Sequence, residues 1–155
     1  MDTIETALLL FVEMEKTKNF GSSLIRDTLN KYDYEDPREK AFLKRLTEGT
    51  LESLLTLDYV INAYSKTPTN KMKPLIRSLL RLSVYQILYM DTVPDSAACN
   101  EAVRLAKKKG FERLSGFVNG VLRTIARHRE EILSSESAFW QELQKNPVQA
   151  LSVRS

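Results

Sequence analysis

The residues of this chain that are best placed to do chemistry are cations and amides, not nucleophiles. Lys107, Lys108 and Lys109 form a basic run, and Arg113 follows closely. Arg123 and Arg127 are four residues apart, so a helix puts them on one face. A second set, Lys71, Lys73, Arg77 and Arg81, lies in a stretch with no acidic residue. Side chains of this type grip phosphates by charge, without reading sequence and with strong dependence on salt. The competing reading is a set of solvated helix faces. On either reading, replacing the three lysines by glutamine is expected to leave the fold intact, because exposed charges contribute little to stability. Two asparagines, Asn100 and Asn119, punctuate the same region. The simpler expectation is that each satisfies backbone groups where helices begin or cross. The functional alternative is contact with a base or a phosphate.

Other chemistry is sparse. Cys99 is the only cysteine and His128 the only histidine, and nothing in their positions brings them together. A lone cysteine excludes an internal disulfide and a cysteine-based metal cluster. It is expected as a packed or surface thiol. There is no glycine-rich phosphate loop, no HExxH and no paired-cysteine motif. The chain alone is therefore expected to carry no catalytic residue, no metal and no cofactor site.

Charge is distributed unevenly. Residues 1–65 hold 8 basic and 12 acidic side chains, net −4; residues 66–129 hold 13 basic and 4 acidic, net +9; residues 130–155 are net −2. A segment at +9 suits a polyanionic partner. With 155 residues and 43% apolar side chains, one domain with a real core is expected. No apolar run is long enough for a membrane span, and the start, MDTIETALLLFVEMEK, lacks the basic region and cleavage site of a signal peptide. A reducing, cytoplasmic setting fits a single cysteine.

The elements that must position these groups are helices. Apolar residues recur at helical spacing and strand-type alternation is scarce. Helices are predicted over about 3–17 and 22–32, then from Pro37 with Asp36 as its cap. Gly49 is expected to loosen that third helix before a fourth carrying Leu51, Leu54, Leu57, Val60 and Ile61. After a short linker at 65–74, PLIRSLLRLSVYQILYMD is apolar on so many faces that it should lie at the centre. Two further helices follow, at about 96–109 with Asp95 as cap and at about 113–128, separated by Gly110. Gly116 and Gly120 share one face, which suggests another helix backbone passing close. Beyond residue 130, a short helix around 136–145 and an extended, mobile end are expected.

The order of these segments carries a resemblance. LRLSVYQILYMDTVPDSAACNEAVRLAKKKGFERLSGFVNGVLRTIAR resembles the NusB-type helical domain, and EKAFLKRLTEGTLESLLTLDYVI agrees with it; the likeness runs from about residue 4 to 129. Two families share that domain: standalone NusB antitermination factors, and the N-terminal domains of RsmB (Sun/Fmu), the 16S rRNA cytosine-C5 methyltransferases. VPDSAACNEAV and GFVNGVLR are closer to RsmB, as is NPVQALSVRS at 146–155. The resemblance implies an all-α bundle of about seven helices in two small subdomains sharing one core. It divides the chain into a helical domain at 1–130 and, at 131–155, a tail leading towards a methyltransferase domain absent from this chain. S-adenosylmethionine and the catalytic cysteines would belong to that absent domain. The sequence departs from NusB at its acidic start, at Glu39-Lys40 and at Glu52.

The function implied is accessory RNA binding. The domain would help hold 16S rRNA, with Lys107, Lys108, Lys109, Arg113, Arg123, Arg127, Lys71, Lys73, Arg77 and Arg81 as candidate contacts. The methyltransferase domain of its own full-length chain would be a further partner, and no membrane is involved. The alternative is a NusB-like antitermination factor, or a docking module without direct RNA contact, with a ribosomal protein among the partners it allows.

Overall fold

In a computed structural model, residues 2–31 and 36–135 are described; the side chain of Ser22 is not. The described chain is helical throughout its regular structure. Helix α1 (Thr3–Thr17) starts where the carboxylate of Asp2 accepts from the Glu5 N–H at 2.7 Å, satisfying one of the free amides of the first turn. It ends at Lys18, which enters the left-handed region at φ 61°. Helix α2 (Ser22–Lys31) follows, and then α3 (Pro37–Glu52). Asp36 caps α3 as its position predicted: its Oδ1 accepts from the Arg38 N–H at 2.9 Å, and Pro37 occupies the first turn. Next come α4 (Leu54–Tyr64), a short 3-10 turn at Thr69–Lys71, α5 (Pro74–Tyr89), α6 (Asp95–Lys108), a second 3-10 turn at Glu112–Leu114, and α7 (Ser115–Arg127). Helical residues resume at 129–135.

Helix α5 is the centre, as its all-round apolar pattern requires. It packs against α1, α3, α4, α6 and α7. Ile76, Leu79, Leu80, Leu82, Val84, Ile87 and Leu88 are buried on several of its faces. Each such side chain contributes about 1.5–3 kcal/mol when removed from water. On one side, α1, α2 and α3 pack on one another; on the other, α7 packs on α4 and α6. One continuous core joins the two groups, and Ile132 is buried in it. The beginning of the expected tail is thus helix packed on the domain. The expected short helix at 136–145 and the extended end lie outside the described residues.

Two local expectations are corrected. Asp95 is not a cap: it is the first residue of α6, Pro94 precedes it, and no side chain bonds the free amides there. Gly49 does not loosen α3. It lies inside the helix, and a Cβ at that position would fall 2.1 Å from Tyr85 Oη. Gly49 is the recess in α3 that admits the Tyr85 ring of α5.

Candidate nucleic-acid interface

Folding divides the ten candidate cations into two groups. Four are neutralised. Lys108 Nζ and Lys109 Nζ both reach Glu5 of α1, at 2.9 and 2.7 Å. Glu5 is 3% exposed. The hydrogen bonds from Lys109 and Lys108 hold its carboxyl at about 2, below the ordinary 4.5, against the opposing effect of burial. Arg77 lies fork-on to Glu15 of α1, at 2.6 and 3.0 Å, and its Nη1 also donates to the carbonyls of Thr69 and Met72. Arg81 lies fork-on to Asp58 of α4, at 2.8 and 2.7 Å, and touches Glu15 at 3.3 Å. The Glu15 bond raises the pKa of Arg77. The second set is therefore acid-free only along the sequence. Its acids arrive from α1 and α4, and no local spacing announces them.

The other six have no carboxylate partner among the described residues: Lys71, Lys73, Lys107, Arg113, Arg123 and Arg127. Lys71, Lys73, Lys107, Arg113 and Arg127 are exposed and Arg123 is half-buried. Three of them follow one line. Helix α7 buries Val118, Val121, Leu122 and Ile125. At 100° per residue, the direction opposite that face is taken by Gly116, Gly120, Arg123 and Arg127. Arg113 precedes them in the 3-10 turn. Helix α7 contains no acidic residue. A Cβ on Gly116 or Gly120 would meet nothing within 4 Å, so the expected close helix crossing is absent and the two glycines open the helix backbone outwards. Arg123 and Arg127 lie about 15 Å and 21 Å along the axis from Arg113, at about 1.5 Å per residue.

The asparagines have a different role from the one expected. Neither side chain bonds a backbone group among the described residues. Arg123 Nε donates to Asn119 Oδ1 at 3.1 Å, and Arg123 Nη2 donates to Asn100 Oδ1 at 2.9 Å. One guanidinium thus bridges α6 and α7 through two amides. Cys99, beside Asn100, is fully buried, and burial raises its pKa. His128 does not meet it: the imidazole lies 5.2 Å from the Tyr64 ring, centroid to centroid, and its Nδ1 is 2.8 Å from the Thr124 carbonyl. Among the described residues there is no group of side chains that could hold a metal ion.

Arg129 is a functional-looking cation that sequence did not single out. Its Nε donates to the Ile87 carbonyl at 2.9 Å, and its Nη2 to Asp91 at 2.9 Å. It closes the C-terminal end of α5, where the free carbonyls carry partial negative charge, and so holds the end of α7 against the central helix.

An all-helical bundle around one central helix, with cations and no acidic residue along α7, defines the class. The NusB family model matches residues 1–127, and the chain belongs to the NusB family. It is 36% identical over 123 residues to a probable ribosomal RNA small subunit methyltransferase B of Bacillus subtilis, a match covering 79% of this chain and 27% of that protein. It is 36% identical over 108 residues to the transcription antitermination protein NusB of Thermodesulfovibrio yellowstonii, covering 69% of this chain and 70% of that one. A solved structure of NusB from T. maritima superposes with a TM-score of 0.75 at 23% identity, covering 86% of this chain and 99% of that one. The chain spans just over a quarter of the length of the curated methyltransferase relatives it matches. Among the described residues no helix is long and apolar enough to cross a membrane.

Proposed function

We propose that this chain is an accessory RNA-binding domain of a 16S rRNA cytosine-C5 methyltransferase, and that it lays the outer face of α7 along the RNA backbone. The observation that carries the reading is the stripe of Arg113, Arg123 and Arg127, opposite the buried face and without an acidic residue in α7. Cations that serve only as a solvated surface are usually interspersed with acids, as Arg104 is with Asp2 and Glu101; along the stripe the one acid adjacent in sequence is Glu112, beside Arg113, and α7 itself has none. The glycines between the arginines leave room for a sugar–phosphate chain to approach. The likeness to the Bacillus protein supports rRNA as the target and a separate part of the full-length protein as the catalyst. That catalytic part would bind S-adenosylmethionine.

The test is a salt titration on a 16S rRNA fragment. Replacing Arg113, Arg123 and Arg127 together by glutamine should flatten the slope of log affinity against log salt by about two, at roughly 0.7 per single-strand contact. Equal slopes and equal affinities would reduce the stripe to a solvated face. A second reading, a docking module of the antitermination type, then leads. It is favoured by a shallow groove between the starts of α1 and α3, lined by Thr3, Ile4 and Phe42 and rimmed by Asp2, Arg38, Glu39 and Glu101.

A further inference from the structure

The bridge between Arg123 and the two asparagines fixes more than a helix pair. An asparagine amide can present its oxygen or its N–H2 in a given direction, and the partner decides which. Here both carbonyl oxygens face the guanidinium. The reversed orientation would set N–H groups against N–H groups, so the charge of Arg123 locks both amides one way. Each N–H2 is then turned away from Arg123, and neither has a protein partner among the described residues. The remaining N–H groups of the guanidinium fork are also unspent. The neighbouring carboxylate, Glu101, is bound to Arg104 through both oxygens. Asn100 is exposed, Asn119 and Arg123 are half-buried, and Gly120 leaves the backbone beside them open.

We infer that Arg123, Asn100 and Asn119 form a donor-only subsite that takes a single RNA nucleotide through its acceptor atoms. The inference rests on the RNA-binding reading above. A phosphate offers adjacent acceptors and no donor, and of the two purine N7 edges guanine's sets a second acceptor, O6, beside N7. Adenine presents its exocyclic amine there, which would meet only other donors. Arg123 is a positioning residue for the amides as well as a contact. Such a role needs the planar fork of arginine, which holds two oxygens at once; the point charge of lysine does not.

The experiment compares affinities for a short single-stranded RNA carrying guanine with one carrying 7-deazaguanine, at fixed salt, and adds a salt titration. Three folded variants are used: Asn100→Asp, Arg123→Lys and Arg123→Met. Asn100→Asp keeps an oxygen for Arg123 but turns an outward donor into an acceptor, and should weaken binding about tenfold or more. If the guanine edge is the ligand, 7-deazaguanine should cost the wild type several-fold and Arg123→Lys should lose that discrimination while keeping its salt slope. If a phosphate is the ligand, 7-deazaguanine should bind as well as guanine and Arg123→Met should lower the salt slope by about 0.7. RNA binding by all three variants with wild-type affinity and slope would overturn the subsite and leave the broader reading standing. No RNA binding by the wild type would remove both.

Discussion

At the scale of single residues, the sharpest consequence comes from Glu5. A basic run of three lysines looks interchangeable in sequence, yet only Lys107 is spare. Lys108 and Lys109 converge on one buried carboxylate. Replacing both by glutamine leaves that charge without a cation, so the premise of a neutral substitution, exposed lysines without partners, does not hold. The loss should be about 2–3 kcal/mol, somewhat below that of a fully enclosed pair, because the Lys108 side chain is half exposed. Chemical denaturation of the double variant checks this, and a change under about 0.5 kcal/mol would mean the pairs are surface contacts. The pH dependence has a definite sign. Glu5 titrates near 2 in the folded chain and near 4.5 when unfolded, so its stabilising effect is complete above about 4.5 and is lost as pH falls towards 2. A Glu5→Gln variant should therefore show a shallower loss of stability across that window than the wild type. Parallel acid curves would refute the assignment. Nothing local in the sequence reveals this pairing, because Glu5 and the lysines are more than a hundred residues apart.

Elements were more legible than their junctions. The stop of α1, the start of α3 at its Asp36 cap and the central position of α5 follow from propensity, capping and apolar periodicity, which are properties of short windows. The glycines were not legible, because their meaning depends on what stands opposite. Gly49 reads as a loosening residue but accommodates Tyr85; Gly116 and Gly120 read as a crossing point but face open space. These contrasts give opposite predictions for the same substitution. Gly49→Ala should destabilise the protein by about 1–3 kcal/mol, since either the Tyr85 ring or the α3 backbone must shift. Gly120→Ala should stabilise it by about 0.5–1 kcal/mol, because alanine suits an exposed helical position better. On the RNA-binding reading the same Gly120→Ala variant should bind RNA more weakly, as its methyl group stands on the approach. Thermal unfolding read beside RNA affinity separates the two effects. A Gly120 variant that is more stable and binds unchanged would place the RNA away from this part of α7.

For the whole molecule, what matters is how the two helix groups are tied to one centre. Periodicity shows that α5 is buried; it does not show that Arg77 and Arg81 anchor it with charge. Glu15 of α1 and Asp58 of α4 meet those arginines beneath the surface, with Glu15 and Arg81 side chains only 11% and 12% exposed. Arg77 extends the network to the carbonyls of the turn at Thr69–Lys71. At the other end of α5, Arg129 ties the helical residues after α7 to the carbonyl of Ile87 and to Asp91. Charged groups from both helix groups thus converge on one helix, and the core between them is continuous. The described domain should accordingly unfold in a single cooperative step, with amide exchange in α1, α5 and α7 reporting one common opening energy. Glu15→Ala tests the tie. It strips Arg77 of the one carboxylate it bonds among the described residues and leaves Arg81 with Asp58, so it should cost about 3 kcal/mol. That cost should appear equally in α1 and α7 exchange, although α7 makes no part of the network. A loss confined to α1 and α2, with α7 protected as before, would show instead that the two groups open independently.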